Sequence, residues 1–346
     1  MTDSPKYTPL SEAKAPFFVG IDVGGTSIKF GVVDDLGQTL ARHHIPTEVE
    51  HGPEAACGRM GPALEQVVHQ AGLTKDRIAR IGLGSAGPMD VRAGKLMLTA
   101  NLPGWNHFPI RDRTAHHTGL PVTFVNDADA AALGEYWVGS AREADSLVLL
   151  TLGTGIGCGI VIDGINLVGA NSCGGEAGHI IIDYADDARV CGCGKTGHLE
   201  AYASATAVKK ITQEHLDAGR ESSLTARIAT GEPLTPKMIA EEAERGDSLS
   251  EEMVVSTARF LGVGIASIMH TVDPELVLLG GAMTFGKNKT ATGRRFLQEI
   301  IDEVRRRAIS VLPERIKIDF ASLGGAAGYL GAAAVARKEY VGQDLS

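Results

Sequence analysis

Between Gly174 and Glu200 the chain reads GGEAGHIIIDYADDARVCGCGKTGHLE. Glu176 and His179 stand three apart, Cys191 and Cys193 flank one glycine, and His198 and Glu200 follow at once. Sulfur and imidazole nitrogen can hold a metal ion, while the two glutamates remain able to accept hydrogen bonds from a polyhydroxyl ligand. A second chemistry is carried by glycine. In DVGGTSIK (22–29), Gly24, Gly25 and Thr26 can present backbone N–H groups and a hydroxyl to phosphate oxygens. Lys29 adds positive charge, and Asp22 can hold magnesium through water. Gly153, Thr154 and Gly155 repeat the loop, with Leu150 and Gly157 where the first copy has Asp22 and Lys29. Charge kept in one copy only points to functional asymmetry. Finally, Asp127 in FVND follows a strand-like run, where a carboxylate can serve as a general base or cap the next helix.

The elements that must position these groups are legible from periodicity. FFVGID, SIKFGVVD and QTLARHHI read as three consecutive strands joined by short turns. Glu54 to Gly72 reads as a helix with Ala56, Met60, Leu64, Val67 and Val68 on its apolar stripe. RIARIGLG and PVTFVND are further strands, the stretch to Trp105 between them is loop-rich, and a helix starts near Ala128. After Ser204 the chain turns helical, most clearly from Ser250 to His270, where Val254, Thr257, Leu261, Ile265 and Ile268 recur at helical spacing. ELVLLGGA and KIDFASL are strands around the amphipathic RRFLQEIIDEVRRRA, and AAGYLGAAAVARKEY closes the chain as a helix.

A shift of 128 positions lays Gly153, Thr154, Ile156, Gly159, Val161 and Asp163 on Gly25, Thr26, Ile28, Gly31, Val33 and Asp35. Six identities in an eleven-residue window without a gap imply an internal duplication, each copy opening on a strand–turn–strand hairpin. Hairpins followed by alternating helix and strand, given twice, predict two α/β domains with a cleft between them.

Bulk properties narrow the partners. A length of 346 residues favours two domains. The net charge of −9 without a basic block argues against nucleic acid or an anionic membrane as partner. Five cysteines, two of them one residue apart, suit a metal or free thiols in a reducing compartment better than a disulfide framework. MTDSPKYTPLSEAKAP lacks the pattern of a secretory signal. The apolar run Leu147–Val161 falls short of the ~20 residues of a membrane span. A cytoplasmic protein is expected. Glycine is in excess, 43 residues, which predicts many tight turns or close approaches to ligands.

Two apparent nucleotide motifs fail on context. Gly82, Gly84 and Gly87 match the dinucleotide fingerprint by spacing, but Pro88, Met89 and Asp90 follow where a helix should begin. Gly194, Lys195 and Thr196 resemble the tail of a Walker A loop, yet Arg189 occupies the position of its first glycine.

Taken together, DVGGTSIK, GLGSAGPMD, NLPGW, FVNDADAAALGE, LGTGIGCGI, GGEAGH, CGCGKTGHLE and LLGGA resemble, in order, the sugar kinases of the ROK family. The resemblance runs from about Phe17 to the C-terminus and implies the actin/hexokinase-like ATPase fold. Residues 1–16, polar and proline-containing, read as a loose extension, and the resemblance implies an N-terminal domain over 17–126, onto which a helix at about 326–340 packs back. A larger C-terminal domain over 127–325 carries the zinc loop. The implied reaction is phosphorylation of a hexose by ATP with magnesium, with Asp127 as the base that takes the hydroxyl proton. Asn101, Asn126, Glu176, His179 and Glu200 fall on sugar ligands, and Asp22, Gly25, Thr26, Lys29, Thr154 and Gly155 on the phosphate side. Gly280 and Gly281 fall where the family packs the nucleoside. The family's structural zinc motif is one histidine and three cysteines; here His198 replaces the last cysteine, leaving His179, Cys191, Cys193 and His198 as the four ligands.

Gly194 and Trp105 look more like the family's glucokinases than its fructokinases, so glucose is the expected sugar. Mannose, fructose and N-acetylated hexosamines remain alternatives, as does polyphosphate for the donor. The family's repressors place a DNA-binding module before the first hairpin. With 16 residues ahead of Phe17, and Lys6 and Lys14 their only basic side chains, an enzyme is expected. The resemblance also implies a homodimer, and domain closure on the sugar to exclude water.

Overall fold

Three strands rich in β-branched and aromatic residues open the computed structural model, which describes residues 7–99 and 102–343. β1 (Phe17–Val23), β2 (Ser27–Val33) and β3 (Thr39–Pro46) form an antiparallel meander. Within the extension expected to be loose, Thr8 N–H donates to the Thr39 carbonyl (3.0 Å) and Lys14 N–H to Asp34 (2.9 Å). These two hydrogen bonds tie Thr8 and Lys14 to the meander.

α1 (Gly52–Gln70) buries the stripe Ala56, Met60, Leu64, Val67 and Val68 that its periodicity marks. β4 (Ile78–Ser85) then runs parallel to β1. The loop-rich stretch after it holds a two-residue hairpin, β5 (Met89–Asp90) with β6 (Lys95–Leu96), which puts a strand where a dinucleotide site would need a helix. α2 (Ile110–Thr118), β7 (Val122–Asn126) and α3 (Asp127–Val138) follow, with β7 parallel to β4.

The second half repeats the plan with β8 (Ser146–Leu152), β9 (Ile156–Ile162) and β10 (Ile165–Asn166). It continues through α4 (Glu200–Ala203), α5 (Ala205–Asp217), α6 (Leu224–Ala229), α7 (Pro236–Glu244) and α8 (Ser248–Val272). β11 (Leu276–Gly281), α9 (Ala291–Arg307), α10 (Leu312–Arg315), β12 (Lys317–Phe320) and α11 (Ala327–Gln343) complete it. The two large sheets have the orders β3-β2-β1-β4-β7 and β10-β9-β8-β11-β12, identical position for position. The duplication legible at the hairpins therefore extends through both sheets.

The described residues fall into two compact units. One holds the chain to Glu143, Gly159–Gly174 and the chain from Leu323; the other holds Ala144–Cys158 and Gly175–Ser322. In the second, α8 is long and apolar enough to cross a membrane, but it is a core helix with Val254, Thr257, Leu261, Ile265 and Ile268 all buried.

In the first unit α11 covers the sheet, with Tyr329, Leu330, Ala333 and Ala336 clustered on Phe18 and Val33. Glycine makes this approach possible. A Cβ on Gly20 would overlap the Tyr329 carbonyl, one on Gly82 the Ala332 carbonyl, and one on Gly331 the Ala130 carbonyl of α3. Part of the glycine excess thus serves backbone-to-backbone packing, and the first glycine of the false dinucleotide fingerprint is one of these contacts. Gly331→Ala must push α11 off α3; we expect it to lower stability by about 3 kcal/mol, read by denaturant melts.

Candidate active site

In the first unit the turn between β1 and β2 presents Gly25 and Thr26 at an exposed tip. Register places Asp22 opposite Lys29, and the Lys29 ammonium donates to Asp22 Oδ2 at 3.2 Å. The Asp22 side chain is 17% exposed and that of Lys29 41%, so both charges remain reachable from solvent. A Cβ on Gly328 would lie 2.6 Å from the Asp22 carboxyl carbon, so the first turn of α11 packs directly on that carboxylate. Gly328 sits in a glycine- and alanine-rich stretch whose only local signal is the start of a helix.

β7 delivers Asn126 and Asp127 at its carboxyl end. Asn126 Oδ1 accepts from the N–H groups of Ala128 (2.8 Å) and Asp129 (3.4 Å), so Asn126 is the cap of α3. Asp127 is the first helical residue, and its Oδ1 also accepts from Ala128 N–H at 2.9 Å. The cap role open to Asp127 in the sequence is thus filled by its neighbour, which spends its carbonyl oxygen there and keeps its amide NH₂ for other partners. Asn101 lies outside the described residues.

In the second unit Gly153, Thr154 and Gly155 join β8 to β9, with Gly153 N–H donating to the Gly155 carbonyl at 3.0 Å. The start of α5 braces this turn: Ala205 N–H donates to the Gly153 carbonyl (2.9 Å) and the Thr206 hydroxyl to that of Thr154 (2.8 Å). A Cβ on Gly155 would overlap the Glu200 carboxylate, so a side chain here would displace that glutamate. Glu200 Oε2 accepts from Ile156 N–H at 2.9 Å, which ties the glutamate to the hairpin. Gly280 and Gly281 end β11 beside β8, and Gly281 has φ 85°, with Leu152 backbone where a side chain would go.

Glu176 precedes a single 3₁₀ turn, Ala177–His179, and its Oε2 lies 3.8 Å from His179 Nε2. The other ring nitrogen of His179 faces away from Glu176. His179 Nδ1 is 3.3 Å from His198 Nδ1 and 3.8 Å from Cys191 Sγ, and His198 Nδ1 is 3.3 Å from Cys193 Sγ. These four donor atoms lie within 4.8 Å of one another. Tetrahedral zinc, with Zn–S about 2.3 Å and Zn–N about 2.0 Å, sets its ligand atoms roughly 3.3–3.8 Å apart, so the donor set fits that ion.

Burial and the neighbouring His179 lower the His198 pKa, which favours the neutral ring a metal requires. Burial pushes the Cys191 thiol up to about 11; a bound cation would reverse that preference. Cys191 Sγ also lies 3.6 Å from Glu200 Oε1, so the sulfur- and nitrogen-bearing cluster and this carboxylate share one wall. That wall is laced by bridges between Ile181 and His198 and between Val190 and Thr196. The Tyr202 hydroxyl donates to Asp183 (2.6 Å) and accepts from Arg189 N–H (2.8 Å), clamping both strands of the loop. Tyr202 went unnoticed in the sequence because an aromatic beside CGCGKTGHLE has no motif of its own.

The sequence profile of the ROK family matches residues 18–339. A protein named glucokinase from Halalkalibacterium halodurans is 33% identical, over 91% of this chain and 93% of its own. A xylose repressor from Caldicellulosiruptor bescii is 29% identical over 92% of this chain and 77% of its own. The crystal structure of a ROK family glucokinase from Streptomyces griseus in complex with glucose and AMPPNP superposes with a TM-score of 0.76. It is 30% identical and covers 93% of this chain and 99% of that one.

Proposed function

Because the chain belongs to the ROK family, on the two-domain actin/hexokinase-like ATPase fold, we propose that it transfers the γ-phosphoryl group of ATP to the 6-hydroxyl of glucose. It is a hexokinase-type phosphotransferase. The observation that carries this reading is the pair at the end of β7. Asn126 caps α3, and Asp127, the next residue, brings a carboxylate to the same strand end. A 30%-identical relative of the same fold holds glucose together with a non-hydrolysable ATP analogue.

Asp127 takes the proton from the 6-hydroxyl as its oxygen attacks the γ-phosphorus. Asn126, through its free amide, together with Asn101, Glu176, His179 Nε2 and Glu200, binds the sugar hydroxyls. The N–H groups of Gly25 and Thr26 in the first hairpin, and of Thr154 and Gly155 in the second, bind phosphate oxygens, with Lys29 adding charge; the N–H groups of Gly24 and Gly153 instead close their turns on the Ser27 (3.1 Å) and Gly155 (3.0 Å) carbonyls. Gly280 and Gly281, at the end of β11, pack the nucleoside. Asp22 would hold magnesium through water; that ion supplies charge neutralisation along the ATP phosphates. His179, Cys191, Cys193 and His198 would hold zinc, whose role is to fix the wall bearing Glu176, His179 and Glu200.

The sugar is tested with a panel of glucose, mannose, fructose and N-acetylglucosamine, each with ATP and with polyphosphate. Glucose with ATP should give the highest kcat/KM, by about tenfold or more over the next pair. Equal rates for two hexoses, or a preference for polyphosphate, would replace glucose or ATP in this account. The similarity to a xylose repressor favours a second reading, a sugar sensor without turnover. Sugar-dependent formation of ADP separates the two.

A further inference from the structure

Thr47 belongs to no motif, yet it is fully buried just beyond β3 and touches the first glycine turn twice. Its hydroxyl donates to the Gly24 carbonyl at 2.6 Å, and its backbone N–H donates to the Thr26 carbonyl at 3.0 Å. One residue thus holds the carbonyls on both sides of Gly25. Thr47 is itself held from α1: the Arg59 guanidinium donates to the Thr47 carbonyl at 2.5 Å and pairs with Glu48 at 3.2 Å.

The consequence follows from peptide geometry. In a trans peptide the C=O and N–H lie on opposite edges of one plane. Drawing the Gly24 carbonyl to Thr47 therefore turns the Gly25 N–H away from Thr47, at a tip where Gly25 and Thr26 are exposed. A peptide between two glycines is otherwise the most easily rotated in a chain, because no Cβ restrains either side. A buried hydroxyl aimed at its carbonyl removes that freedom. We infer that Thr47 is the positioning residue of this hairpin, fixing the Gly25 amide as a preorganised donor to a phosphate oxygen of the nucleotide. The inference rests on the ATP-binding reading above.

Thr47→Val keeps shape and removes the hydroxyl. It should raise KM for ATP, and the Kd for ADP by calorimetry, about tenfold. Glucose affinity measured without nucleotide should stay within about twofold, and Thr47→Ser should restore ATP binding. Should Thr47→Val not fold, Thr47→Ala removes the same hydroxyl without apolar bulk beside the carbonyl and gives the same readout. An unchanged ATP constant overturns the inference, and so does parallel loss of sugar and nucleotide binding with no rescue by serine. Wild-type protein that binds neither ATP nor ADP would overturn the ATP reading as well. Wild-type binding matched by the variant would overturn only the role of Thr47.

Discussion

Asp127→Asn should cut kcat by about 10³-fold while leaving glucose affinity nearly unchanged. The substitution is isosteric, and the new side-chain oxygen can still accept from Ala128 N–H, as Asp127 Oδ1 does at 2.9 Å. α3 should not notice the change, since its cap is Asn126. What disappears is a group able to take the proton as the hydroxyl oxygen attacks. Loss of turnover with retained sugar binding by calorimetry assigns Asp127 to chemistry. Loss of both in step, with a lowered melting temperature, would assign it to the fold.

Purified protein should carry about one zinc per chain, and stripping it with a strong chelator should reduce kcat/KM for glucose by roughly 100-fold, mainly through KM. The reason is geometric. Cys191 lies 3.6 Å from Glu200, His179 places Nδ1 in the donor cluster and Nε2 beside Glu176, so releasing the ion should loosen the three proposed sugar ligands at once. Added zinc should restore KM, and added magnesium should not. His198→Cys, which gives the site a third thiolate, should hold the ion more tightly in chelator competition. An active preparation free of zinc would overturn this part of the account.

Much of this was legible in the chain because its signals are local. The stripe of α8, the strands of both sheets apart from the two-residue β10, and the repeated hairpins each reveal themselves within about twenty residues. The cluster of His179, Cys191, Cys193 and His198 is compact in sequence and in space. What stayed hidden depends on long-range contact. The two-residue strands β5 and β6 are too short to show alternation, and α2, IRDRTAHHT, buries only Ile110, Thr114 and Thr118. Gly20 and Gly82 look like turn or ligand glycines until α11, roughly 250 to 310 residues away, is laid across them. Thr47 meets Gly24 across 23 residues of chain, with nothing in its neighbours to mark it.

The most direct test of the central claim is a single assay: purified protein, magnesium, ATP and glucose, with ADP and glucose 6-phosphate both measured. The account predicts that the two products form in equal amounts and that neither forms when glucose or ATP is left out. Glucose bound, as seen by calorimetry, with no ADP formed would contradict it and place the chain with the sensing members of its family.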